Sequence, residues 1–227
     1  MAHGKVQVIG TSHVAAESIS LVRSRIESTK PDIVAVELDA RRAHALLHGA
    51  KPRLSLGMVR VMGVKGFLFF ALASFLQRKI GQVVGVEPGS DMKAALEAAI
   101  KANAKIALID RSIELTMRRL DRALTWKERA RFFADMLVGP FSREVRELGS
   151  VDLRKVPSRE VISKVLALLK AKYPALYAVL VEERNEHMAN ALADIVRRHP
   201  DSSVVAVVGA GHEDSLAALL RQKLGEN

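Results

Sequence analysis

Two histidines each follow an apolar, strand-like run that ends at a glycine. The first run leads to Gly10 and then to His13, and the second leads to Gly209 and then to His212, with the same spacing in both. In an open α/β sheet, ligands bind in the loops just beyond the carboxyl ends of the strands. We therefore expect His13 and His212 to be neighbours in space, and neutral imidazole is the commonest protein ligand for divalent metal ions.

A carboxylate, Glu37, directly follows a third apolar run at residues 32–36. At the end of a buried strand it could complete a metal site or act as a general base on a bound water. The alternative is a simple charge close to a helix N-terminus, where the helix dipole favours acidic side chains.

Arg184 lies in the middle of an apolar stripe on a predicted helix. The stripe consists of Tyr177, Val181, Met188, Ala191 and Ile195. A buried guanidinium needs a partner, because an unpaired buried charge is strongly unfavourable. Two interpretations are open: a structural ion pair with Glu37 or Asp39, or a clamp for an anion or a transition state. Glu183 and His187, spaced i, i+4, lie beside Arg184 on the same helix.

Four apolar segments predict the strands that deliver these residues: 5–10, 32–36, 105–109 and 204–208. Helices are predicted at about 15–28, from Arg41 onward, from a Ser90-Asp91 cap to Asn103, over 174–198 and at about 213–224. Strand–helix–strand units with short links give parallel strands joined by right-handed crossovers. The predicted fold class is α/β, with a small, mostly parallel sheet flanked by helices. The whole chain, 1–227, is predicted to form a single domain with helical insertions at about 50–85 and 112–172.

The composition excludes several classes of site. The chain of 227 residues has no cysteine, which rules out disulfides and thiolate metal sites. It lacks a Walker loop, a Gly-x-Ser-x-Gly elbow and a His-Glu-x-x-His helix, the motifs of nucleotide hydrolases, serine hydrolases and zinc proteases. The first residues run straight into a strand, so we expect no signal peptide. With no transmembrane span expected either, we predict a cytoplasmic or peripheral membrane location.

One window of the chain is strongly basic. Residues 40–86 contain eight Lys or Arg and no Asp or Glu, in a chain of net charge +10. The same window holds the apolar run 66–76, whose 11 residues are too few for a membrane span, which takes about 20. We predict a homodimer contact through residues 50–85, with an anionic membrane surface or ordinary core packing as alternatives. Nucleic acid is not expected, because aromatic residues make up only 4% and no nucleic-acid-binding motif is present.

Six segments, read in chain order, resemble the TraB family, the pheromone-shutdown or TraB/PrgY group. They are residues 9–13, 36–39 with Arg41-Arg42, 88–92, 108–111, 181–185 and 208–212, and they extend over nearly the whole chain. That family is similar to the TIKI proteases and to the erythromycin-esterase/ChaN-like superfamily. The resemblance implies an α/β core whose active centre combines two Gly-x-x-His motifs with an acidic residue. In TIKI proteins the activity is metal-dependent proteolysis supported by manganese or cobalt.

The resemblance also implies roles for individual residues. Three residues are expected to hold a divalent metal, manganese or cobalt rather than zinc: His13, His212 and Glu37. Three residues match the acidic and basic motif positions and are expected to be catalytic: Glu37, Glu183 and Arg184. Three further motif residues are expected to contact substrate: Arg41, Asp110 and Arg111.

Two functions from different classes are compatible with these residues. The leading hypothesis is a metal-dependent hydrolase acting on a peptide or protein substrate. The metal would lower the pKa of a bound water, Glu37 or Glu183 would move the proton, and Arg184 would offset developing negative charge. The competing hypothesis is a non-catalytic module that uses the same cleft to bind or sequester peptide or lipid.

Overall fold

A computed structural model describes residues 6–11, 16–49, 89–138 and 159–225. His13 and the 50–85 region lie outside the described residues, so the predicted pairing of the two histidines and the predicted dimer contact stay predictions.

The described strands form one four-stranded, all-parallel sheet, which confirms the predicted α/β class. The strands are β1 (Val6–Thr11), β2 (Ile33–Val36), β3 (Lys105–Leu108) and β4 (Val204–Gly209), arranged in the order β1-β4-β2-β3. Each lies within one residue of its predicted bounds. The last strand in the chain is therefore central, and it pairs with both β1 and β2.

The described helices flank this sheet. They are α1 (Ala16–Thr29), α2 (Ala40–His48), α3 (Ser90–Lys101), α4 (Ile113–Ala123), α5 (Trp126–Val138), α6 (Arg159–Lys172), α7 (Pro174–Tyr177), α8 (Glu183–Arg198) and α9 (Glu213–Leu224). A π turn (Ala178–Glu182) joins α7 to α8. Within the described parts of the chain, no helix is long and apolar enough to cross a bilayer.

Alternation along the strands sends side chains to both faces of the sheet. On one face, Val34 and Val36 pack in a buried cluster with residues of α1 and α3. On the other face, Ile33 and Ala35 pack with residues of α8 and α9, among them Met188. Burying side chains of this kind contributes about 1.5–3 kcal/mol each, so helix and sheet are fixed firmly against one another. Glu37, the next residue after β2, continues the alternation toward the α8 side.

A third apolar cluster joins α4 to the segment that precedes α8. Met117 and Leu120 of α4 pack against Leu176 and Val179, which lie before and within the π turn. The start of α5 is tied to the same place, because Glu128 accepts hydrogen bonds from Thr125 and from the backbone N–H of Ala175. Helix α4 and the start of α5 therefore pack directly against the segment leading into α8.

The predicted Ser90-Asp91 cap is wrong. The N-cap of α3 is Gly89, whose φ of 84° lies in the left-handed region that glycine adopts easily, and Ser90 is the first helical residue. Asp91 is instead 1% exposed and accepts a hydrogen bond from the Thr11 hydroxyl at the end of β1. Asp91, which was predicted to be part of a cap, thus links the start of α3 to the end of β1.

Gly10 provides the clearest stability test of this architecture. A Cβ at this position would lie 2.3 Å from Oε2 of Glu213 and 3.1 Å from the Cα of Ala210. We expect Gly10→Ala to destabilise the fold by about 1–3 kcal/mol, as overpacking does, in urea unfolding. The Ala210 backbone cannot move aside as the end of the Glu213 side chain can, so we expect nearly the same loss when Gly10→Ala is made in a Glu213→Ala background. Recovery of most of the loss in that background would show that Glu213 is the obstacle instead.

Candidate active site

Four functional side chains meet at the carboxyl edge of the sheet. Glu37 follows β2, Asp110 follows β3 and His212 follows β4, while Arg184 enters from the first turn of α8. Because all strands are parallel, their carboxyl ends share one edge, and α8, which leads back to the start of β4, begins there. Backbone hydrogen bonds beyond the strands, from Glu37 to Val207 at 3.0 Å among them, keep these ends in register.

Arg184 connects the group. Its Nη2 donates to Oε1 of Glu37. Asp110 accepts twice, its Oδ2 from Nη2 at 2.8 Å and its Oδ1 from Nε at 3.2 Å. The side chain is only 16% exposed, and those of Glu37 and Asp110 are 4% and 2% exposed. The predicted ion pair of Arg184 with Glu37 is confirmed. Asp39, the other partner considered, instead caps α2 and pairs with Arg42.

The ion pairs govern the ionisation of this group. Burial alone would raise the pKa of Asp110, but the charges and hydrogen bonds of Arg184 and Arg42 outweigh it and lower that pKa to about 2. Burial opposes the charge of Arg184 as well, but the facing carboxylates of Glu37 and Asp110 raise its pKa above the ordinary value. Asp110 and Arg184 are therefore charged at neutral pH.

The hydrogen bonds of His212 define its tautomer. Its Nε2 lies 3.1 Å from Nη1 of Arg184, which can only donate, so Nε2 must accept with its lone pair. Its Nδ1 lies 2.6 Å from Oδ1 of Asn185 and therefore carries the proton. His212 is thus a neutral imidazole, and its side chain is 10% exposed.

The residues present can be compared with the donors that a divalent metal requires. Oε1 of Glu37 and Nε2 of His212 are 3.6 Å apart. Two ligands that each lie about 2.1 Å from one cation are separated by roughly 3–3.6 Å, so the pair fits in atom type and spacing. Among the described residues no third side chain completes a metal-binding group, and the third predicted ligand, His13, lies outside them. Arg184 bridges the same two atoms, so its guanidinium and a cation would compete for them.

The other predicted site residues lie apart from this group. Glu183 accepts hydrogen bonds from Arg111 at 2.7 Å and Arg119 at 3.1 Å. Arg41 is 81% exposed and pairs with Glu114. His187 is exposed on α8. The substrate contacts predicted for Arg41 and Arg111 stay predictions, whereas Asp110 lies within the central group.

The sequence profile of the TraB/PrgY/gumN family matches residues 2–223. The chain belongs to the TraB/PrgY/gumN family. An uncharacterized protein of Methanocaldococcus jannaschii is 38% identical over 222 residues, which cover 96% of this chain and 53% of that protein. TraB domain-containing proteins of Homo sapiens and Bos taurus are each 27% identical, over 92% of this chain and 60% of theirs. The chain thus spans between half and two thirds of the length of these relatives.

Three residues at the edge of this TraB-family sheet were given no site role from the sequence, although all three lie in segments that resemble the family. Asn185 orients His212, Arg42 donates to Asp39 and Asp110, and Asp91 receives the Thr11 hydroxyl. A signal was present for Asn185, which is an amide directly beside an arginine on an apolar helix face. Arg42 lies three residues after Asp39, a spacing that favours ion pairing on a helix. Asp91 gave no comparable signal, because an acid at a helix start normally faces solvent.

The depressed pKa of Asp110 predicts how stability changes in acid. The folded chain holds this proton only below about pH 2, whereas the unfolded chain takes it up near the ordinary value of 3.8. Stability is therefore present above pH 4 and is lost as the pH falls toward 2, by roughly 2 kcal/mol from this group. Urea unfolding of Asp110→Asn between pH 2 and 6 should show a shallower acid loss than the parent chain. An unchanged slope would contradict the assignment.

Proposed function

We propose that the chain is a metal-dependent hydrolase of the TIKI type that acts on peptides, with His212, Glu37 and Arg184 at its centre. One observation supports this most directly: a neutral imidazole, a carboxylate and a guanidinium from three separate segments converge at the carboxyl edge of the sheet. Membership of the TraB/PrgY/gumN family is compatible with the proposal.

His212 is a metal ligand in this proposal. Asn185 fixes the imidazole ring through Nδ1, which leaves the lone pair of Nε2 directed toward Arg184 and Glu37. This arrangement corresponds to a metal-ligating imidazole that a second group holds in one tautomer. Glu183, also predicted to move a proton, is engaged by Arg111 and Arg119, and we therefore assign that role to Glu37.

Glu37 holds the arrangement in place. Its Oε2 accepts the backbone N–H of Gly209 at 2.6 Å, and its Oε1 accepts from Arg184. Both oxygens are therefore positioned by the strand ends and by α8, which is the rigidity that a catalytic group requires.

Arg184 supplies positive charge that is already desolvated and oriented. Its side chain is 16% exposed, and all three guanidinium nitrogens are held by protein groups. A preorganised cation at a site of low dielectric stabilises negative charge that develops on a substrate oxygen.

A divalent cation, manganese or cobalt, would be held by His212 and Glu37 together with His13. When bound, it would supply Lewis acidity and lower the pKa of a bound water. Imidazole and carboxylate ligands suit several first-row metals.

Competition between Arg184 and the cation can be measured directly. We expect Arg184→Gln to bind Mn²⁺ at least about tenfold more tightly than the parent chain in isothermal titration calorimetry, since a competing positive charge is removed from the two ligand atoms. His212→Ala in the Arg184→Gln background should abolish the gain. Equal Mn²⁺ affinity in the parent chain and Arg184→Gln would contradict a shared location.

Activity is tested with purified protein, MnCl₂ or CoCl₂ and a pool of fluorogenic peptides. We expect turnover to fall by about 100-fold or more in His212→Ala and Glu37→Gln, because each removes a group of the reacting centre. His187→Ala is the matched control, since His187 is an exposed histidine on α8 and should leave turnover unchanged. Peptide binding without hydrolysis at any metal concentration would favour the non-catalytic binding module.

A further inference from the structure

The helix that carries Arg184 is interrupted immediately before it. Ala178–Glu182 form a π turn, in which the N–H of Glu183 bonds to the carbonyl of Ala178, five residues earlier. A π turn adds one residue to a helical turn, so side chains beyond it are rotated by about 100° from their place in an uninterrupted α-helix. The direction of Arg184 therefore depends on whether this turn is maintained.

The π turn separates two packing requirements. Before and within it, Leu176 and Val179 face the cluster formed with α4. After it, Met188 and Leu192 face the sheet. One inserted residue lets a single helical rod satisfy both clusters, and π turns are found frequently at functional sites.

Arg111 binds both ends of the turn. Its Nη2 donates to the carbonyl of Val179 at 2.6 Å, and its Nη1 donates to Oε2 of Glu183 at 2.7 Å. Its Nε donates to Oγ1 of Thr116 at 3.1 Å, and its side chain is only 5% exposed. All three guanidinium nitrogens thus contact protein groups.

We propose that Arg111 is a positioning residue that maintains the π turn and so directs Arg184 at Glu37, Asp110 and His212. Arg111 and its neighbour Asp110 act on the same segment from one strand end: Asp110 accepts from Arg184, and Arg111 holds the turn that precedes it. The effect on catalysis rests on the proposed hydrolase function, whereas the effect on Arg184 does not.

The matched control is Arg119. It donates to the same carboxylate oxygen of Glu183 at 3.1 Å but is half exposed, and none of its described hydrogen bonds reaches Val179. Arg119→Gln therefore removes an ion pair with Glu183 and keeps the bond of Arg111 to the π turn.

The test is hydrogen exchange of the Arg184 side-chain Nε–H, followed by NMR and assigned by its loss in Arg184→Lys. We expect Arg111→Lys to speed this exchange by about tenfold or more, together with the amides of residues 180–184, because a lysine cannot make the three directed bonds. Arg119→Gln should leave both unchanged. Backbone amides of β4 measured in the same sample report any general loss of stability, which would raise all rates alike.

Thr116→Val is the second variant, for the case in which Arg111→Lys does not fold. It removes the acceptor of the Arg111 Nε, together with the hydrogen bond that the Thr116 hydroxyl donates to the carbonyl of Ser112 at the start of α4. It should speed the same exchange about threefold without changing the β4 rates. The positioning role is overturned if the Nε–H of Arg184 exchanges no faster in Arg111→Lys than in Arg119→Gln. If Arg111→Lys does not fold, the same comparison is made with Thr116→Val.

Turnover separates this inference from the proposed function. If peptides are hydrolysed, Arg111→Lys should lower kcat about tenfold with little change in KM, while Arg119→Gln keeps both. If no hydrolysis is found in the parent chain, the proposed function fails, and the exchange rates still decide the role of Arg111.

Discussion

The burial of one guanidinium between two carboxylates is the interaction on which the carboxyl edge of the sheet depends. Arg184 draws together the ends of β2, β3 and β4 through Glu37, Asp110 and His212. A buried pair of this kind adds little net stability, because desolvation offsets much of the attraction, but breaking it leaves charges buried without compensation. The pair therefore determines geometry more than stability. Any arrangement in which these strand ends were displaced would separate Glu37 and Asp110 from the guanidinium that they share.

The order of the strands makes this geometry a property of the whole fold. The last strand lies between the first and the second, so the partners of Glu37 come from residues more than 140 positions later in the chain. Such long-range contacts form only after a large loss of chain entropy, and the local hydrophobic packing of α1, α3 and α8 must supply the compensation. The apolar clusters on both faces of the sheet thus supply the stability that offsets the desolvation of the charged groups at its carboxyl edge.

The sequence predicted the strands well for a physical reason. Strands of a parallel sheet are buried on both faces and read as continuous apolar runs, so β2 and β4 are visible without any structural information. Of the two partners considered for Arg184, Glu37 is present and Asp39 is not. Asp110 was missed as a partner, because only the spatial order of the strands places the end of β3 beside the end of β2. The π turn could not be found at all. One inserted residue barely disturbs the apolar stripe along the helix, and the groups that hold it, Arg111 and Thr116, come from another element.

The same arrangement would allow the proposed cation site to coexist with a stable fold. Where a site consists of acidic ligands alone, the metal-free protein leaves like charges facing each other, and folding then depends on the metal. Here the guanidinium of Arg184 already compensates Glu37 and Asp110, and the imidazole of His212 is neutral. The consequence for binding follows from linkage: the free energy of releasing Arg184 from Glu37 and His212 is subtracted from the intrinsic affinity of those ligands for the cation. A residue that orients Arg184 more firmly, such as Arg111, would then weaken metal binding while it strengthens the alignment of the guanidinium.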